Sequence, residues 1–203
     1  MLKTSGHVKT YYGQCCNIFE DFKQRNGVDA TFQGFIGSVE ALSKSFPDES
    51  SSYKFKGDML EVLAEMFFKA FFCSPIVGLT DYTPVPIVED YGVDGTGINA
   101  SGKPCVVQVK YRIDPTNLVL YEEMAKTYTS GRLQLKLPLE GDNCVYVFTS
   151  AYGVTIACQT VFGKMLRVLS HEIISNEINN NVTFWNFAYT EIESTLMSYL
   201  SSS

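Results

Sequence analysis

The sequence is poor in the residues that build soft-metal centres and has no long apolar run. Its two histidines, His7 and His171, stand far apart, and its six cysteines (Cys15, Cys16, Cys73, Cys105, Cys144, Cys158) form no C-x-x-C pair. A zinc finger or an H-E-x-x-H centre is thereby excluded. The scattered cysteines read as reduced, small core residues of a cytosolic-type compartment. A membrane span needs about eighteen consecutive apolar residues. The longest candidate, Met66–Cys73, is broken by Lys69. The first residues turn polar at once, so no secretory leader is expected. Basic residues are also scarce. There are 16 against 22 acids, a net charge of −6, and no base follows Arg167. A generic polyanion coat is not built this way.

What is present suffices for a folded domain. The 203 residues are 45% hydrophobic and 19% charged, which supports a sizeable core. The charge is uneven. Glu61, Glu65, Asp81, Glu89, Asp90 and Asp94 face only Lys69 over residues 61–94. Lys103, Lys110, Arg112, Lys126, Arg132 and Lys136 outnumber Asp114, Glu122 and Glu123 over 101–136. A divalent cation would offset the first block and a polyanion would face the second; ordinary surface charge accounts for both equally well.

Apolar clusters at Tyr11–Phe19 and Phe32–Leu42 have helical spacing, and the polar run Ser43–Ser52 carries a Pro break. Residues 1–52 thus read as a helical appendage and linker. Residues 53–160 read as a core, and 161–203 as a helical or mixed extension. Gly57–Phe72 is an amphipathic helix with Glu61, Glu65 and Lys69 on one face. Val93–Ile98 and Cys105–Arg112 form a hairpin around a tight turn at Asn99–Gly102. A helix over Asn117–Thr129, strands at Asn143–Thr149 and Gly153–Cys158, and a helix over Val161–Ile174 complete the expectation: an α/β fold with a small mixed sheet flanked by helices.

Chemistry concentrates in Gly92-Val-Asp94-Gly95 and Val106-Val-Gln108-Val-Lys110-Tyr-Arg112. Alternation along a strand sets Gln108, Lys110 and Arg112 on one face, with Gln108 and Lys110 about 7 Å apart. Asp94, on the preceding arm, reaches the same end of the sheet. Phosphodiester hydrolysis needs a hard divalent cation on oxygen ligands and a cationic group near the phosphate. Asp94, the Gln108 amide oxygen and the Val109 carbonyl supply the first, and Lys110 the second. Glu61 or Glu65 would stand in or near the shell, with Glu89 and Asp90 as further acids. Each residue also has a plain reading. Lys110 alone is an edge-strand lysine, Asp94 beside Gly95 suits any turn, and Glu61 and Glu65 form a solvated stripe with Glu65 paired to Lys69. Gly97-x4-Gly102-Lys103 is no phosphate loop, because Pro104 stands where a hydroxyl is required. His7 and His171 read as structural, far from any ligand cluster.

These residues resemble the catalytic core of the PD-(D/E)XK, or restriction-endonuclease-like, nucleases. The nearest likeness is to the Mrr-type branch, in which Gln often replaces the second acid of the motif. Lys56-Gly57-Asp-Met-Leu-Glu61 is similar to the helix that opens this fold in Mrr-type enzymes and archaeal Holliday-junction resolvases. Asn143–Ser150 is similar to the apolar strand after the catalytic hairpin and helix. Val93 stands where the pattern has Pro, and Gln108 where it has an acid. The resemblance spans roughly Lys56 to Cys158. It implies a restriction-endonuclease-like core and a Mg²⁺- (or Mn²⁺-) dependent DNA endonuclease leaving 5′-phosphate and 3′-hydroxyl ends. It implies Glu61, Asp94, Gln108 and Lys110 as catalytic residues, and Asp94, Gln108, Val109 and Glu61 around the metal. Lys103, Arg112, Lys126, Arg132 and Lys136 are candidate DNA contacts. A homodimer or a larger nucleic-acid-processing complex is expected, located with DNA in the cytoplasm, nucleoid or nucleus. The alternative is a catalytically weak or inactive binding or assembly module on the same fold.

Overall fold

A computed structural model of the chain describes residues 2–25, 29–85 and 92–201. Apolar residues at three- and four-residue spacing fold the N-terminal region into α1 (Ser5–Thr10), α2 (Tyr12–Gln24), α3 (Phe32–Ser43) and α4 (Glu49–Ala70). Thr31 caps α3 by accepting from the Gly34 N–H. Helix α4 starts well before Gly57, so the polar linker shrinks to a few residues around Pro47. The C-terminal segment, expected to be mixed, is the helix α8 (Val182–Leu200), which follows α7 (His171–Ile178).

The chain divides into two packed units, residues 1–70 with 173–203 and residues 71–172. The sequence reading put boundaries near 52 and 160. Packing moves them, because α4 buries its apolar face among α1, α3 and α8. Phe22 stacks on Trp185 at 4.5 Å between centroids, worth about 0.5–1.5 kcal/mol beyond area burial. The Trp185 indole N–H donates to the carbonyls of Ala30 and Ile178. A buried aromatic is thus left with no orphan donor.

The second unit carries a five-stranded mixed sheet of β1 (Leu79–Pro84), β2 (Gly95–Asn99), β3 (Pro104–Lys110), β4 (Val145–Thr149) and β5 (Leu166–Leu169), in sequence order. The first three strands are antiparallel and the last three parallel. Cys105–Val109 and all of β4 are buried, as the near-continuous apolar runs of parallel strands require. Helix α5 (Tyr121–Leu133) crosses from β3 to β4 and packs on both. The turn between β2 and β3 is closed by buried Asn99, which accepts from the N–H groups of Ser101 and Lys103.

Two stretches differ from expectation. Gly153–Cys158 makes only an isolated bridge, Val154 to Val119, before Thr155 caps the short helix α6 (Ile156–Phe162). Within Val161–Ile174, the positive φ of Gly163 ends α6 and Leu166–Leu169 pairs with β4. Long-range pairing there overrides local periodicity. Edge strand β1 was not legible: only Leu79 and Tyr82 are buried, and Pro84 closes it. Among the described residues no helix is long and apolar enough to cross a membrane. All six cysteines are free; Cys15, Cys105, Cys144 and Cys158 are buried and Cys73 is exposed.

Candidate active site

Strand β3 is central in the sheet, so Lys110 is no edge-strand lysine. Asp94 is no turn residue either. Its N–H donates to the Val107 carbonyl and its carbonyl accepts from Val85, extending the ladder beyond β2. The chain enters this position through Gly92, whose φ of +87° suits glycine and over which the Lys126 side chain lies. Gly95 then pairs with Val107, and a Cβ at that position would run into the Tyr82 ring.

Asp94 Oδ2 accepts the Val109 backbone N–H at 2.6 Å and a hydrogen bond from Gln108 Nε2. The same Gln108 nitrogen lies 3.4 Å from the Val109 carbonyl oxygen. Asp94, the Gln108 amide and the Val109 carbonyl are therefore gathered at one point. The amide, however, presents its nitrogen there, and Gln108 Oε1 accepts from the Thr127 hydroxyl. Gln108 and Thr127 are both buried.

Two residues further along β3, Lys110 Nζ stands 4.0 Å from Glu123 Oε1. The other Glu123 oxygen accepts from Arg112 at 2.6 Å and from the Leu120 N–H at 2.9 Å. Burial pushes the Glu123 carboxyl up. The hydrogen bonds from Arg112 and Leu120, with the charges of Arg112 and Lys110, outweigh it and hold the group below its ordinary value. Arg112 is pinned further through its backbone, whose N–H and carbonyl both meet the Ser150 hydroxyl. An open cleft of about 560 Å³ lies beside Arg112, lined by Thr116, Asn117, Leu118, Leu120 and Thr155.

The other expected residues have surroundings of their own. Lys103 is at the hairpin turn before β3, seven residues from Lys110, or about 23 Å along the strand. Arg132 lies over the Tyr128 ring, and Lys136 is exposed. Glu89 and Asp90 lie outside the described residues. Glu61 belongs to the first unit, where it meets His7 Nε2 at 3.1 Å while Asp58 faces His7 Nδ1 at 3.4 Å. His7 is thus not remote from other ionisable groups. The three side chains place ligand-type atoms within 4.8 Å of one another. Each imidazole nitrogen already faces a carboxylate, Nδ1 that of Asp58 and Nε2 that of Glu61. Lys54 and the Tyr11 hydroxyl also donate to Asp58, and the cluster reads as an ion-paired imidazolium. Burial opposes its charge, but hydrogen bonds to Asp58 and Glu61 prevail and raise the His7 pKa to about 9. Glu65 is not on a solvated stripe. It is 1% exposed and accepts from the Lys3 N–H, the Thr4 N–H and the Thr4 hydroxyl, with Lys69 3.4 Å away.

Sequence reasoning missed Thr127 and treated Glu123 only as a charge. The usable signal was their spacing: four apart in a helix, they share one face. Comparison of this chain with protein-family models, with curated proteins and with solved structures finds no match.

Proposed function

We propose that the second unit is a metal-dependent nuclease centre of the PD-(D/E)XK kind, hydrolysing DNA phosphodiesters to 5′-phosphate and 3′-hydroxyl ends. The observation that carries this reading is the direct contact of Asp94 with Gln108 and the Val109 N–H, with Lys110 next on the same face of a central strand. The strand order supports it as well. A hairpin bears the polar residues, and a helix and then an apolar parallel strand follow, as the resemblance requires.

The donor set suits Mg²⁺ or Mn²⁺. Asp94, the Gln108 amide oxygen and the Val109 carbonyl are hard oxygens. Asp94 contributes the one full negative charge, and a half-turn of the Gln108 amide brings its oxygen to the position its nitrogen holds. These residues would hold the cation, which when bound would neutralise a phosphate oxygen and acidify water. The protein's own groups do the rest. Lys110 donates to the scissile phosphate and steadies the charge that develops on it. Glu123, itself anchored by Arg112 and Leu120, holds the lysine against the strand. Arg112 and the cleft beside it receive the flanking strand of DNA. Cleaving both strands of a duplex takes two such centres, hence a homodimer or a partner subunit.

A second reading is favoured by one observation. Asp94 Oδ2 accepts two N–H donors, from Gln108 and from Val109, as suits a fold kept for binding or assembly. Nicking of supercoiled plasmid by the purified chain, with Mg²⁺ or Mn²⁺ and with chelator, separates the two. Cation-dependent nicking is expected, falling about 100-fold or more in Lys110→Ala. Absence of cleavage on duplex, single-stranded and branched DNA, or full activity in Lys110→Ala, overturns the nuclease reading.

A further inference from the structure

Thr127 sits on α5 with its side chain wholly buried, and its hydroxyl has one proton and three acceptors in reach. These are Gln108 Oε1, the Gly92 carbonyl at 2.8 Å and the Glu123 carbonyl at 3.1 Å. A hydroxyl donates once and accepts up to twice. In the arrangement present, its O–H donates to Gln108 Oε1, and the amide nitrogen donates to Asp94.

A half-turn of the Gln108 side-chain amide exchanges an oxygen and a nitrogen of nearly equal size. The amide oxygen then faces Asp94 Oδ2 and the Val109 carbonyl. Three oxygens converging without a cation repel one another, so this orientation is disfavoured in the ion-free protein. With a divalent cation held by Asp94, the Val109 carbonyl and the amide oxygen, this orientation would be the favoured one. At the other end the amide N–H₂ then faces Thr127 Oγ1, which accepts from it and turns its own O–H to donate to the Gly92 carbonyl. Thr127 therefore makes one hydrogen bond to this network in the ion-free state and two in the cation-bound state.

We infer that Thr127 is the positioning residue of a self-capped cation site: Gln108 closes Asp94 with its own N–H until a divalent cation turns the amide, and the Thr127 hydroxyl is the pivot that satisfies both orientations. The inference rests on reading Asp94, Gln108 and Val109 as the cation site. It explains how an amide can occupy a ligand position on a central strand without leaving a buried polar group unpaired in either state. Valine at 127 can neither donate nor accept, and it removes one more bond from the cation-bound state than from the ion-free state. Serine keeps the pivot.

The test measures Mn²⁺ binding to the full chain by electron paramagnetic resonance and Mg²⁺-induced shifts of the Gln108 side-chain amide by NMR, assigned through Gln108→Glu. The wild type is expected to bind Mn²⁺ with an affinity that Asp94→Asn removes. Thr127→Ser should bind within twofold of it, and Thr127→Val about fivefold to tenfold more weakly, the worth of one neutral hydrogen bond. On adding Mg²⁺, the Gln108 amide protons should lose their Overhauser contacts toward Asp94 and gain contacts to the Thr127 β and methyl protons. Asp94-dependent binding with Thr127→Val equal to wild type, or with the amide protons still facing Asp94, overturns the inference and leaves the cation site standing. A merely structural Thr127 would lower the melting temperature of Thr127→Val without moving the affinity. Absence of Asp94-dependent binding in the wild type overturns the site itself and the inference with it. Should Thr127→Val fail to fold, the wild-type amide contacts decide alone.

Discussion

Helix α4 in the first unit and the strand leading into the β2–β3 hairpin in the second both carry acids that are at least partly buried, and they use them differently. Asp58, Glu61 and Glu65 are met by fixed partners: His7, Tyr11 and Lys54 for the first two, and the Lys3 and Thr4 backbone for the last. Those bonds tie the N-terminal segment to a helix, and removing any partner leaves a buried group exposed to the full desolvation cost. Asp94 has one fixed partner, the Val109 N–H, and beside it meets the amide of Gln108, a group that offers either a donor or an acceptor at nearly equal size. Acids with fixed partners stabilise; an acid faced by a reversible one can also bind. Acidic side chains thus serve two ends, and the partner decides which.

The comparison is open to attack at several points. The largest effect is expected at Glu65. Glu65→Ala should lower unfolding free energy by about 3–5 kcal/mol in urea titration, because the Thr4 N–H and hydroxyl lose their acceptor. A loss under 1 kcal/mol would show that the carboxylate is not the anchor. Next comes His7. Its folded pKa is raised, so its contribution is complete below its ordinary value near 6.5 and is lost as pH rises through about 9. Wild type should therefore exceed His7→Gln by up to about 3 kcal/mol at pH 6 and converge on it near pH 10. A constant difference across that window would break the ion-pair account. Gly95→Ala drives a methyl group into the Tyr82 ring and should cost about 1–3 kcal/mol, seen as a lower melting temperature. An unchanged melting temperature would mean the hairpin has slack there. The smallest effect is at Lys103, which lies at the far end of the hairpin. Lys103→Ala should change stability by less than about 0.5 kcal/mol and leave DNA cleavage within twofold. A large loss of cleavage would put the substrate across the turn.

Legibility in the sequence followed the range of the interaction. Strand β3 stood out as a valine-rich run, β4 as a buried apolar one, and the Asn99–Gly102 turn as turn chemistry, because all three are local. Gln108 and Lys110 were placed on one strand by period alone. Strand β5 and helix α6 were misread, since Gly163 and pairing with β4 settled that stretch against its periodicity. Thr127 and Glu123 went unassigned because they reach the site from a helix more than a dozen residues downstream of β3. Glu65 was read as solvated because nothing local announces that residues 3 and 4 will bury it.

By itself, the sequence determined that this is an α/β chain with a valine-rich central hairpin carrying Asp94, Gln108 and Lys110, because alternation and turn propensity act between near neighbours. Which way the Gln108 amide faces, which lysine is steadied by which glutamate, and whether an acid on α4 is solvated or spoken for were decided only in the folded molecule. Each of those outcomes depends on hydrogen bonds between groups far apart in the chain, and their worth exists only once water has been excluded around them.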